Sequence, residues 1–150
     1  MLREIPDNDI IRFHQAQTQE ICRAVEEELK AGAKRSHWMW FIFPQIQGLG
    51  FSSMDAYYSI KSLDEAKRFI SDPVLGERYL RWVNLTLRHT DRSAEEIFGY
   101  PDVLKYRSSL TLFGEAAERE QKDIIKTALA QFYSGTPDQH TLDILNRKKA

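Results

Sequence analysis

SHWMWFIFPQIQGLGFSS, residues 36–53, decides how the rest of the chain is read. It holds two of the three tryptophans, the phenylalanines Phe41, Phe43 and Phe51, and the densest apolar run, and it closes with Pro44, Gly48 and Gly50. From Trp38 to Phe43 there is no polar face at a period of either 2 or 3.6 residues. Such a run is buried on most sides, as a short strand or as a buried helical turn. Pro44 biases Phe43 towards extended backbone, so a strand-like segment entering a loop is the preferred expectation. In that geometry Trp38, Trp40 and Ile42 share one side, and His37, Met39, Phe41 and Phe43 the other. Gly48 or Gly50 is expected to take a positive φ.

Outward from this stretch the chain reads as amphipathic helices. Asp9 to Ala31 places Ile10, Phe13, Gln17, Ile21, Ala24 and Leu29 near helical spacing. Asp7, Asn8 or Asp9 is available as its cap and Gly32 as its stop. Ser62 to Glu65 and Ser93 to Glu96 have the pattern of capping boxes. Asp72-Pro73 opens a helix that turns Leu75, Tyr79, Trp82 and Val83 inward. Residues 101–113, PDVLKYRSSLTLF, place Val103, Tyr106, Leu110 and Phe113 on one side of a helix and Lys105, Ser108, Ser109 and Leu112 on a second stripe. Glu115 to Ser134 is one more helix, and Thr136-Pro137-Asp138-Gln139 opens the last, with Thr136 as its cap. The expected class is mainly α: one domain over residues 1–150, a multi-helix array with at most a small extended element around residues 37–44.

Composition narrows the function classes. At 150 residues the chain can bury a core without metals or disulfides, and its formal charge of −1 argues against binding a nucleic acid polymer. Cys22 is the single cysteine, so no intrachain disulfide forms and a cytoplasmic location is expected. Its surroundings, Ile21 and Val25, suit a buried inert thiol. No apolar run is long enough for a membrane span, and MLREIPDNDI lacks the apolar core of an export signal. His14, His37, His89 and His140 are scattered, and neither zinc spacing nor a dinucleotide fingerprint occurs, so no metal or cofactor is assigned. GLGFSS lacks the Gly-Lys-Ser/Thr ending of a phosphate loop.

Two stretches carry candidate chemistry. Buried tryptophans want an acceptor for the indole N–H. Trp38 and Trp40 beside His37, Gln45 and Gln47 therefore imply either an internal polar network or the wall of a pocket. Lys105, one turn from Ser108 and Ser109, can form an anion site; a lysine–serine acyl-transfer pair and a plain polar helix face are the alternatives. The candidate ligand-binding residues are His37, Trp38, Trp40, Gln45, Gly48, Gly50, Ser52, Lys105, Ser108 and Ser109. The expected partner is an anionic small molecule of nucleotide or ADP-ribose type. The alternative is a protein-interaction or structural module in which the same residues are core and rim. Catalytic residues and oligomeric state are not legible.

The blocks SHWMWFIFPQIQGLGFSSMDAYYSI, EAKRFISDPVLGERY, IFGYPDVLKYRSSLTLF and GTPDQHTL resemble a family of small bacterial proteins, the domain of unknown function 1810. Some of its members carry a calpastatin label, which suits disordered inhibitor segments and not this aromatic-rich chain. The resemblance runs from Phe13 to Thr141 and implies a single, mainly helical domain. In the order of its elements the chain is also similar to proteins that process ADP-ribose or riboside phosphates. That likeness implies an aromatic pocket acting on an N-glycosidic bond, without identifying the acidic residue.

Overall fold

The computed structural model describes residues 10–149, and in it the run after Trp38 is a helical turn, not a strand. The elements are α1 (Ile11–Ala16), α2 (Gln19–Ala31), α3 (Met39–Ile42), α4 (Ser53–Tyr58), α5 (Leu63–Ser71), α6 (Leu75–Leu87), α7 (Ala94–Phe98), α8 (Asp102–Ala116), α9 (Arg119–Tyr133) and α10 (Gln139–Lys149). The Phe43 N–H closes α3 on Met39 O at 3.1 Å. As expected for the residue before a proline, Phe43 leaves the helical region with φ −123°, so Pro44 ends a turn that has already formed. The two-sided alternation expected for Trp38 to Phe43 therefore does not occur. The extended element lies after Pro44 instead, as a one-residue parallel bridge between Ile46 and Ile60.

Long-range packing explains why this stretch folds as it does. The Phe43 ring meets Tyr106 at 4.8 Å, Tyr79 at 5.4 Å, Phe98 at 5.9 Å and Trp38 at 6.2 Å. Aromatic pairs at such distances add to simple area burial. The central helix of the array is α8, packed by α5, α7, α9 and α10. It buries Ser108, Ser109 and Thr111 as well as Tyr106, Leu110, Leu112 and Phe113, so the polar stripe expected on it is largely internal. On α6 the expected inward residues Leu75, Tyr79, Trp82 and Val83 are all buried.

Three helix starts differ from the sequence expectation. The first long helix is broken at Gln17 and Thr18. Thr18 caps α2 by accepting the Ile21 N–H, and Gln17 turns inward to donate to Phe41 O at 2.9 Å. The proposed caps Asp7, Asn8 and Asp9 lie outside the described residues. Asp138, not Thr136, caps α10, accepting from Thr141 N at 3.0 Å. Likewise Glu115 belongs to α8, and α9 begins only at Arg119. The Ser93–Glu96 box forms in full. At Ser62 the hydroxyl accepts the Glu65 N–H, but the Glu65 carboxylate takes the Lys61 N–H and is also drawn into the core by Arg12.

Arg12 and Glu65 make a fully buried bidentate pair, at 2.7 and 3.1 Å. Arg12 also donates to Tyr57 O and Ser59 O, which ties α1 to the end of α4.

Candidate functional site

The two tryptophans of the central stretch have different surroundings. Trp38 is wholly buried and donates its indole N–H to Glu28 on α2 at 3.0 Å. The same carboxylate accepts from Arg35 N, Ser36 N and the Ser36 hydroxyl. Lys34 lies 4.9 Å from the centre of the Trp38 ring and pairs with Asp102 at 2.8 Å. Trp38 is thus a structural anchor joining α2, the central stretch and α8. Burial would raise the Glu28 pKa, but the hydrogen bonds from Ser36, Arg35 and Trp38 outweigh it and hold the carboxyl below its ordinary value of 4.5. A carboxyl depressed in the folded state stabilises above its unfolded pKa and loses that contribution as pH falls through the folded value. Urea unfolding at stepped pH is expected to show Glu28→Gln less stable than wild type at neutral pH. The gap should begin to narrow near the ordinary carboxyl value of ~4.5 and close only once pH has fallen below the depressed folded-state value, where both side chains are neutral. A gap that persists into acid would contradict this.

Trp40 lines the other site. It is only partly buried, yet its indole N–H is enclosed and meets no acceptor. Lys105 from α8 places its ammonium 5.3 Å from the ring centre, a cation–π geometry. Asp55 Oδ1 is 3.9 Å from the same ammonium, too long for a hydrogen bond. The side chains of Lys105 and Asp55 are 21% and 12% exposed. With them, Met39, Phe43, Gln45, Tyr58 and Ser59 enclose a cavity of about 10 Å³, room for roughly one water. Neither the Gln45 amide nor the Tyr58 hydroxyl is hydrogen-bonded to a described protein group, while burial raises the Tyr58 pKa. One small cleft between α3, α4 and α8 thus brings together the Lys105 ammonium, the Asp55 carboxylate and an enclosed Trp40 indole N–H without an acceptor among the described residues.

The other candidate residues are placed as follows. Gly48 has φ +110°, as a special turn requires, whereas Gly50 does not take a positive φ. Gly50 matters for space: a methyl group there would collide with Asp55, lying 2.7 Å from its Cβ. Ser52 caps α4 in a full capping box with Asp55. It shapes the rim of the cleft without lining it. His37 is exposed. Ser108 donates back to Leu104 O at 3.2 Å, and Ser109 shares a 2.9 Å hydrogen bond with the buried Tyr79 hydroxyl. Both serines are thus engaged inside the core and do not join Lys105 in one anion site. Asp55, Tyr58 and Met39 were not singled out from sequence. Asp55 was visible only as the third residue after Ser52, a capping signal that says nothing of Lys105.

Elsewhere, an open groove of about 820 Å³ lies beside the α8–α9 junction, where Glu115, Glu118 and Glu120 accompany Lys67 and Arg119. Among the described residues, no buried side-chain polar group without a partner lines it. The Trp82 indole N–H also lacks an acceptor, beside a groove with Cys22, Glu26, Arg78 and Arg81. There Arg81 is already neutralised by Glu26 at 2.6 Å. Cys22 is half-buried, and burial raises its thiol pKa, which leaves it protonated and unreactive. His14 pairs with Asp72 at 3.1 Å. Among the described residues no three His, Cys, Asp or Glu side chains are grouped to hold a metal ion, and no helix is long and apolar enough to cross a membrane.

Comparison with known proteins fits this picture. The model of the family described as protein of unknown function DUF1810 matches residues 7–145, and the chain belongs to that family. The fold is similar to the crystal structure of the conserved hypothetical protein Rv1873 from Mycobacterium tuberculosis. The two share 43% sequence identity with a TM-score of 0.87, over 92% of this chain and 96% of that one. No curated protein matches.

Proposed function

We propose that this DUF1810 protein binds an anionic small molecule of nucleotide or ADP-ribose type in the cleft between α3, α4 and α8. The carrying observation is the Lys105 ammonium over the Trp40 ring, beside the Asp55 carboxylate and an enclosed Trp40 indole N–H that no described protein group accepts. A buried donor without an acceptor, set beside a cation and a carboxylate, suits a polar ligand. Lys105 is the phosphate partner, acting as a point charge. Trp40 and Tyr58 flank the sugar or base, and Gln45 offers both a donor and an acceptor to its edge.

A cavity of about 10 Å³ does not admit a nucleotide, so binding requires the segment from Gly48 to Ala56 to move outward. That segment is suited to it. No residue of α4 is buried, and Phe51 beside it is 98% exposed. Its far end is held, because Arg12 grips Tyr57 O and Ser59 O, and the Ile46–Ile60 bridge closes its base. A step at an N-glycosidic bond would fall to Asp55, the carboxylate in the cleft.

A second reading, a protein-interaction module, is favoured by the exposed side chains of Phe51, Met54 and Tyr57. Thermal shift with nucleotides, ADP-ribose and sugar phosphates separates the two. A ligand at about 100 times its dissociation constant adds ~2.7 kcal/mol of stability. Lys105→Ala is expected to abolish the shift while its apo melting temperature stays near wild type. No shift from any of these compounds in the wild type would leave the interaction module in its place.

A further inference from the structure

Resting on that reading, we infer that Asp55 sets the specificity of the cleft: it selects a sugar phosphate with free hydroxyls over a bare phosphate. The two oxygens of Asp55 have different duties. Oδ2 accepts from Ser52 N at 3.2 Å and from the Ser52 hydroxyl at 2.7 Å, which fixes the carboxylate on α4. Oδ1 faces Lys105 at 3.9 Å and receives no hydrogen bond from a described residue. Gly50 makes this placement possible, since any side chain there would occupy the space of the Asp55 side chain.

An ionised carboxylate accepts hydrogen bonds and donates none. A phosphate that pairs with Lys105 comes to rest beside Oδ1, and two like charges in a mostly buried site repel one another. A phosphate carried on a sugar escapes this penalty if a hydroxyl reaches Oδ1 and donates to it. Trp40 and Tyr58 then supply an indole N–H and a hydroxyl to the remaining oxygens. The ligand class is therefore a phosphorylated sugar with neighbouring hydroxyls, as in the ribose phosphate part of a nucleotide.

Calorimetric titration with ribose 5-phosphate and inorganic phosphate tests it in wild type, Asp55→Asn and Lys105→Ala. Wild type is expected to bind ribose 5-phosphate at least about tenfold more tightly, the scale of one hydrogen bond to a charged group. Asp55→Asn keeps an oxygen for the Ser52 cap but removes the charge. It is expected to bind inorganic phosphate more tightly than wild type does and to lose most of the preference. The preference is a ratio read within one protein, so partial unfolding of the variant cancels. If Asp55→Asn retains the wild-type ratio, or wild type prefers bare phosphate, the specificity role of Asp55 is overturned while the Lys105 site stands. If Asp55→Asn does not fold, the wild-type ratio alone decides, and equal affinities overturn the role. If wild type binds both ligands and Lys105→Ala binds them equally well, the cleft itself is not the site.

Discussion

Replacing Glu65 with alanine is expected to cost about 3–5 kcal/mol, the range for removing one member of a buried ion pair, since its carboxylate takes hydrogen bonds from Arg12 and from Lys61 N. Both side chains of the Arg12–Glu65 pair are inaccessible to solvent. Without the carboxylate, Arg12 loses its bidentate partner while its bonds to the carbonyls of Tyr57 and Ser59 remain. Glu65→Gln retains an acceptor and should cost less. Because typical stabilities are about 5–15 kcal/mol, the alanine variant sits near the edge of folding. Urea denaturation at neutral pH reads the difference, and a loss below ~1 kcal/mol, the scale of an exposed pair, would contradict a structural role for this one. The pair also bears on function. It fixes the end of α4 against α1, so that outward movement is confined to the part of the segment nearer Gly48.

Trp38→Ala is the second large expected effect, about 3–5 kcal/mol from the lost aromatic volume. It should exceed Trp40→Ala clearly, because Trp38 is fully enclosed and bonded to Glu28 while Trp40 is partly open. The alanine variant would also leave the Glu28 oxygen short of one donor. Thermal melts of the two variants side by side check the order. Equal losses would show that the central stretch packs as one undivided block and that Trp40 has no separate role.

What could be read from sequence was local. Helix periodicity on residues 75–87, the Ser93 capping box and the glycine at Gly48 all depend on neighbours within a turn or two, and these expectations match the structure. The conformation of residues 38–43 was not legible, because a run apolar on every side carries no period. Phe43 takes its place through Tyr79, Phe98 and Tyr106, residues from three later helices. Glu28 carries no local signal, and only the return of the chain at Ser36 and Trp38 makes it a hub. Arg12 and Glu65 were likewise hidden by distance along the chain. The cleft was half legible. Lys105 and Trp40 stood out by residue type, but the Asp55 carboxylate beside them is a matter of tertiary placement. For Ser108 the reading of a serine bonding back to its own helix holds, since it donates to Leu104 O, but the stripe faces the protein and not solvent because α8 is surrounded by helices.

The most direct measurement is a crystal structure of the protein grown with saturating ADP-ribose. The expected result is ligand density between α3, α4 and α8, with a phosphate within hydrogen-bonding distance of Lys105 Nζ, the segment from Gly48 to Ala56 displaced outward, and Trp38 unmoved. A ligand lodged elsewhere, or a cleft that stays closed over Lys105 and Asp55 at saturation, would contradict the assignment.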